Sequence, residues 1–437
     1  MAESKQTGPS LWPAPDEAPT DADLSRCVHC GLCLNSCPTY LVTGLEAESP
    51  RGRIYLARAI ESGELPLTET IQQHWELCLQ CRACEAVCPS SVPYGRIMEH
   101  ARAQLDADAP AGKGERRIRK LLLRHVIAKR PVLRMAMLPA RIMAQRPLRS
   151  LARRSGILRL APPLQRLEAQ LPHRVGRPFR PGGKLAQPAA PSAGEAVLFV
   201  GCVMGELFGR VHRATGRLLA RRGIACSAPE GQGCCGALHA HDGDLSYARK
   251  LARQTIDAFE PSDPAPVVVN SAGCGAAMKE YGDLLKDDPD YRERAQAFSG
   301  RVRDLSEVLA EAAAVPARYE GTASYQHACH LAHAQRIREQ PAMLVSNVSG
   351  CKQVSTGGED VCCGAAGIYS IVQPEMSAEL RARKAEGFAR ADPGVVVTAN
   401  PGCQMQYEAA VREAGTGARV MHLAEFLDAA EQRAARE

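Results

Sequence analysis

The run Cys27-Val-His-Cys30-Gly-Leu-Cys33-Leu-Asn-Ser-Cys37-Pro38 is answered downstream by Cys78-Leu-Gln-Cys81-Arg-Ala-Cys84-Glu-Ala-Val-Cys88-Pro89. Both read C-x2-C-x2-C-x3-C-P, the spacing by which a short domain holds two [4Fe-4S] clusters. Three Cys at intervals of three on a tightly curled backbone can meet three irons of one cubane, but the same curl cannot deliver the fourth thiolate. In the two-cluster pattern the last Cys of each run crosses to the other cluster. The expected ligand sets are therefore Cys27, Cys30, Cys33 and Cys88 for one cluster and Cys78, Cys81, Cys84 and Cys37 for the other. Pro38 and Pro89 lack an N–H and fix φ, which ends the curl after each fourth ligand. Zinc sites pair two Cys with two further ligands and have no use for this third Cys, fourth Cys and closing Pro. Disulfides are disfavoured for the same reason.

The remaining composition agrees with a redox protein of several domains. The chain has 437 residues, 18 of them Cys, with 45% hydrophobic and 4% aromatic residues, so its cores are built mainly from Ala, Leu and Val. That length leaves room for two to four domains. No stretch is long and apolar enough to span a bilayer, and the first residues carry neither a basic n-region nor an apolar h-region. The expectation is a cytoplasmic protein, in which abundant Cys mean metal or redox chemistry before disulfides.

Residues 1–23 are a polar, Pro-bearing leader, expected to be mobile. Residues 24–105 form the two-cluster domain, with helices expected from Pro50 to about Glu61 and from about Glu69 to Trp75. Arg51 and Arg53 open the first of these, where they could reach cluster sulfurs or a partner, or simply face water. The basic helical segment 106–171 follows. From Lys113 to Leu160 it holds fifteen Lys/Arg and one acid, Glu115, interleaved with apolar residues. An anionic membrane surface, a partner subunit and a solvated face all fit this pattern; nucleic acid is the weakest reading, as no binding motif accompanies the charge. Residues 172–194 are rich in Pro, Gly and Ala and read as a linker.

Two repeats fill 195–320 and 321–437. The first places Cys202, Cys234, Cys235 and Cys274, the second Cys329, Cys362, Cys363 and Cys403, at offsets of 127, 128, 128 and 129 residues. Such regular offsets mark an internal duplication. Val-rich strands alternate with helices in each, which predicts α/β layers with largely parallel sheets and Cys at strand ends, where such sheets bind ligands. The overall fold class is thus α+β and multi-domain: a helical two-cluster domain followed by two α/β Cys-Cys-Gly domains. Four thiols per repeat suit a further Fe-S cluster, direct thiol redox chemistry, or a structural role, with Gly236 and Gly364 relieving crowding after each Cys pair. His239, His241, His327, His330 and His333 lie near these thiols as candidate ligands or proton relays. Cys226 and Cys351 stand outside the pattern. Gly231-Gln-Gly233-Cys-Cys-Gly236 matches G-x-G-x-x-G in letters, but no strand precedes it and its interior is the Cys pair, so it is not a dinucleotide site. No catalytic triad, carboxylate pair or P-loop is present, so no catalytic residue is assigned.

Taken together, the two ferredoxin-type runs, Thr39-Tyr40 after the first, Ser49-Pro-Arg-Gly-Arg-Ile-Tyr55 and the paired Cys-Cys-Gly domains resemble the iron-sulfur subunits of glycolate oxidase, also called glycolate dehydrogenase. The likeness runs from about Leu24 to Ala430. It implies a complex in which FAD-binding partner subunits oxidise glycolate to glyoxylate and this chain passes electrons toward the quinone pool, peripherally on the cytoplasmic face of the inner membrane. Subunits of lactate and anaerobic glycerol-3-phosphate dehydrogenases share the architecture, and a structural scaffold with redox-idle clusters is the reading from another class. Heterodisulfide reductase subunits end each repeat in C-x2-C, whereas Ala277 and Gln406 stand here, so their non-cubane clusters are not carried over.

Overall fold

The computed structural model describes residues 11–143, 172, 175–190, 194–259 and 264–437. In the N-terminal domain, α1 (Pro50–Glu61), α2 (Glu69–Glu76) and α3 (Tyr94–Asp108) enclose the two Cys loops. Ser49 and Thr68 cap the first two of these helices by accepting from Gly52 N and Ile71 N, and Pro50 at the first helical position supplies a φ already suited to the helix. Their apolar faces meet around Trp75, Ile54, Ile60, Ile97 and Met98.

The expectation of a mobile leader is corrected for residues 11–23. Trp12 is buried and stacks on Trp75 at 5.9 Å. Leu11 N donates to Ile60 O, and Ala14 exchanges two hydrogen bonds with the side chain of Gln104. A single Trp among polar residues is enough to anchor the segment, because an indole buries more apolar area than several small side chains. Residues 1–10 lie outside the described residues. Residues 175–190 also differ from a free linker: Phe179 and Leu185 are buried, and the backbone pairs with Gly205 O and Ala228 O.

The basic segment forms α4 (Lys113–Leu122) and α5 (Arg130–Met143), joined through Leu123–Ile127; from residue 144 to 171 it lies outside the described residues. Many of its cations turn inward. Arg116 pairs with Glu76, Arg119 with Asp242, Arg124 with Asp244 and Arg141 with Glu206, which ties the segment to the cluster domain and the first repeat. Leu123 and Leu133 are buried, but Ile118, Leu121, Leu122, Val132, Met135, Leu138 and Ile142 face outward, Met135 by 75%.

Each repeat is a four-stranded, all-parallel sheet. In the first, β1 (Gly194–Leu198), β2 (Ile224–Ser227), β3 (Val267–Val269) and β4 (Val302–Asp304) run in the order β2-β1-β3-β4. In the second, β5 (Arg318–Tyr325), β6 (Ser349–Gln353), β7 (Val395–Thr398) and β8 (Arg419–His422) repeat it as β6-β5-β7-β8. The central strands are covered on both faces, so they read as unbroken Val runs rather than alternating ones. The order reverses direction between β1 and β3, and again between β5 and β7; these are the switch points at which open parallel sheets form a crevice. One apolar core, from Leu198 and Val268 to Val396 and Phe426, runs through both repeats.

Ion pairs and one histidine join the repeats. Arg217, Arg221 and Arg222 of the first grip Asp428 and Glu431 of the second, both acids being buried. His422 Nε2 donates to Asn270 O at 2.9 Å while its Nδ1 accepts from Ala424 N, so the ring is neutral and has no site for a second proton. Burial lowers its pKa to about 4, and that of the buried His212 to about 3. The unfolded chain therefore takes up these protons first: the stabilisation is complete above pH 6.5 and is lost as pH falls toward 4, at about 1.4 kcal/mol per unit for each ring. Guanidinium unfolding of the metal-free chain at pH 7.5 and pH 5 is expected to show this loss, and His422→Gln to show a smaller one.

Candidate metal centres

Both Cys runs curl through left-handed residues at matching positions, His29 and Gly31 in the first and Gln80 and Arg82 in the second. Non-glycine residues occupy that region at a cost of about 1–2 kcal/mol, which marks the curl as something the surroundings enforce. In the interior of the domain, Cys37, Cys78, Cys81 and Cys84 line one pocket together with Arg53, Thr39 and Tyr94. The first run thus contributes its last Cys to the thiols of the second, the crossing expected from the spacing. All four thiols are buried, and burial pushes those of Cys81 and Cys84 well up in the metal-free chain. Four buried free thiols lining one pocket fit an iron-sulfur cluster, whose irons take thiolates.

Behind Cys37 lies a buried polar network. Arg53, 1% exposed, donates to Glu48, to Thr39 Oγ1 at 3.2 Å and to His74 O at 2.7 Å. Thr39 Oγ1 in turn lies 3.3 Å from Cys37 Sγ and donates to Glu48 O. Arg53 therefore faces neither water nor a partner, and it reaches the thiol through Thr39 rather than directly. Arg51 is more open: it pairs with Glu46 and donates to His29 O, bracing the first loop from outside.

The first loop lies nearer the surface. Cys27, Cys33 and Cys88 are half-buried against the same apolar core, and Cys30 is exposed. Burial pushes the Cys33 thiol up to about 11. Around the loop, Val28 is 67%, Leu32 58% and Tyr55 58% exposed, an apolar rim beside one of the two Cys sets.

In the repeats, the thiols collect at the switch points. Cys202 follows β1, the Cys234–Cys235 pair follows β2, and Cys274 lies in the first turn of the helix Ala272–Lys279 after β3. Cys329, Cys362–Cys363 and Cys403 repeat the arrangement, the last in the first turn of Pro401–Ala414. Cys202 Sγ and Cys234 Sγ are 3.9 Å apart, as are Cys329 Sγ and Cys362 Sγ. Each set is linked thiol to thiol. Hydrogen bonds from Cys202 and Cys235 hold the Cys234 thiol down, and those from Cys362 and Cys403 do the same for Cys363. Gly236 and Gly364 have φ of +86° and +83°, and a Cβ at Gly364 would meet Ser377 O at 3.0 Å. Gly364→Ala is accordingly expected to lower the unfolding free energy by about 1–2 kcal/mol, measured by denaturant titration.

The candidate histidines go different ways. His239 is buried beside Cys234, and among the described residues neither ring nitrogen has a hydrogen bond of good geometry. His241 stacks on His330 at 5.1 Å and bonds Glu99, His327 packs on Tyr325, and His333 bonds Asp360 O. Among the described residues no three His, Cys, Asp or Glu close on a single metal ion. Cys226 on β2 and Cys351 on β6 stay apart from the thiol sets.

The second Cys loop touches both repeats, unequally. Leu79, Cys81 and Ala83 share an apolar cluster with Cys362, Tyr369, Met376 and Leu380, with Cys329 at its margin, and Tyr369 Oη donates to Leu77 O at 2.8 Å. Toward the first repeat the contacts are polar: Arg82 pairs with Glu280, and Gln80 and Arg102 both donate to His241 O.

This combination defines the chain as a dicluster ferredoxin-type domain fused to two Cys-rich domains. Residues 23–92 match the family described as 4Fe-4S dicluster domain, 196–279 and 323–408 each match the Cysteine-rich domain, and 114–171 match the linker region of the glycolate oxidase iron-sulfur subunit. The chain is 36% identical over 416 residues to the probable glycolate oxidase iron-sulfur subunit of Bacillus subtilis (strain 168), covering 93% of this chain and 94% of that protein. It is 31% identical over 399 residues to the glycolate oxidase iron-sulfur subunit of Escherichia coli (strain K12), covering 90% and 91%. Lactate utilization protein A of Exiguobacterium sp. is 30% identical over 234 residues, which is 53% of this chain and 96% of that one. The chain belongs to the glycolate oxidase iron-sulfur subunit family, and it carries iron-sulfur clusters.

Proposed function

We propose that the chain is the electron-transfer subunit of a glycolate-oxidising complex, with Cys27, Cys30, Cys33 and Cys88 holding one [4Fe-4S] cluster, Cys78, Cys81, Cys84 and Cys37 the second, and each Cys-Cys-Gly quartet a further Fe-S centre. The observation that carries this is the pocket that Cys37 of the first run lines together with three buried thiols of the second. Clusters bound there supply one-electron redox chemistry. The protein's share is to hold the thiols, exclude water and set the local field, which Arg53, Thr39 and Tyr94 do around the inner set.

The flavin belongs to partner subunits, FAD-binding proteins that take two electrons and two protons from glycolate to leave glyoxylate; a quinone collects them at the end. The exposed rim around Cys30 supports that loop as the face that meets the flavoprotein, since a buried cluster could not approach a donor. The outward apolar side chains of α4 and α5 support peripheral contact with the cytoplasmic face of the inner membrane. Among the described residues no helix is long and apolar enough to cross it.

Near full-length similarity to two glycolate oxidase subunits favours glycolate over lactate, because the lactate-utilisation relative matches only about half of the chain. The test is to tag the chain, copurify its flavoproteins anaerobically and compare quinone reduction with glycolate, lactate and glycerol 3-phosphate. Glycolate is expected to be preferred at least tenfold. Equal or faster turnover of lactate would overturn the substrate assignment.

A further inference from the structure

The two Cys quartets share their spacing but not their electrostatics. On the helix Pro374–Ala391, Lys384 is 5% exposed and its Nζ donates to Gln326 Oε1 at 3.0 Å and Gly358 O at 2.6 Å, 5.7 Å from the Tyr407 ring centre. These are neutral acceptors. The carboxylate that acts on it, Glu359, is turned to Ser355 and to the N–H groups of Thr356 and Gly357. Leu380, one turn before Lys384, packs on Gly364 beside Cys363, and Tyr407, under the ammonium, stands one turn after Cys403; burial pulls the pKa of Lys384 down, and the thiols of Cys363, Cys362 and Cys403 push back most. A buried ammonium with no ion-pair partner among the described residues is costly, so its retention calls for an anion, and the thiols of Cys363, Cys362 and Cys403 act on it more strongly than Glu359 does.

The first repeat is built otherwise. Gly236 packs against Ala248 and Leu251 as Gly364 packs against Ser377 and Leu380, which places Thr255 where Lys384 stands. Thr255 Oγ1 bonds Leu251 O and Cys234 O and brings no charge. The cation that reaches Cys202 and Cys234 is Arg130, on α5 of the basic segment, which donates to Gly201 O at 2.9 Å.

We propose that Lys384 is the built-in counter-cation of an anionic iron-sulfur centre held by Cys329, Cys362, Cys363 and Cys403, and that it raises that centre's reduction potential. This rests on the reading that the repeats hold clusters. Four thiolates outweigh the positive charge of the cluster core, and reduction adds one more negative charge, so a neighbouring ammonium favours the reduced form.

The experiment uses the full chain, reconstituted anaerobically with iron and sulfide, as wild type, Lys384→Met, Lys384→Arg and the exposed control Lys352→Met. Iron and sulfide are counted and the EPR signals titrated against potential. Lys384→Met is expected to lower one midpoint by at least a tenfold change in the one-electron equilibrium, about 59 mV, while Lys384→Arg stays within threefold and the other signals hold still. Loss of that centre's iron in Lys384→Met, restored by Arg, supports the same conclusion. Metal-free Lys384→Met is expected to melt no lower than metal-free wild type, since it loses an uncompensated charge; a lower melting temperature contradicts the proposal. So do unmoved midpoints with iron retained, or equal loss of iron in the Met and Arg variants. Wild type holding only about eight irons, those of two cubanes, would end this proposal and leave the electron-transfer reading standing. Wild type with no reducible signal would end both.

Discussion

Cys81→Ala is expected to remove about four irons per chain, one whole [4Fe-4S] cluster, and to bring glycolate-dependent quinone reduction by the assembled complex to background. Cys81 is buried in the cavity it shares with Cys37, Cys78 and Cys84, so no surface ligand can replace it. It also sits in the apolar cluster that reaches Cys362 and Cys329, so the vacated position lies where the cluster domain meets the second repeat. Cys226→Ala is the matched control: Cys226 is also buried, on β2, and outside both quartets. It is expected to keep all the iron. A Cys81→Ala chain with full iron and full activity would mean that the inner thiols hold nothing that carries current.

The second large effect concerns Arg53→Met, expected to destabilise the N-terminal domain by about 3–5 kcal/mol, the usual cost of stripping one partner from a buried ion pair. Glu48, whose side chain is 7% exposed, would keep only His74, and Thr39 would lose two guanidinium donors beside Cys37. Lysine is a poor substitute, since one ammonium cannot span Glu48, Thr39 and His74 O as the planar guanidinium does. Urea or thermal unfolding of the metal-free chain measures this. A loss below about 1 kcal/mol would place Arg53 among ordinary surface cations.

Much of this was legible in the residues. The Cys spacings pointed to Cys37 as a partner of the second run, with which it shares a pocket, and the Val runs foretold the parallel strands, because burial on both faces leaves no polar alternation. The duplicated offsets anticipated two sheets of identical order. What escaped was tertiary. Trp12 reads as part of a polar leader until Trp75 is brought beside it. Arg53 carries the same letters as the half-buried Arg51 two residues away; only the turn of α1 separates a buried network from a loop brace. The basic stretch 113–143 suggested a basic outer face, yet its cations find Glu76, Asp242 and Asp244 from distant segments, which turns the apolar side outward. Lys384 gave no signal, being one Lys in a helix with many charges, although its absence from the matching position Thr255 was available in the internal repeat.

The most direct test of the account is the metal content and magnetic signature of the anaerobically purified, reconstituted wild-type chain. At least about eight irons with matching sulfide are expected, and, after dithionite, low-temperature EPR of reduced [4Fe-4S] clusters broadened by mutual coupling. A colourless chain, or one carrying zinc in place of iron, would contradict it.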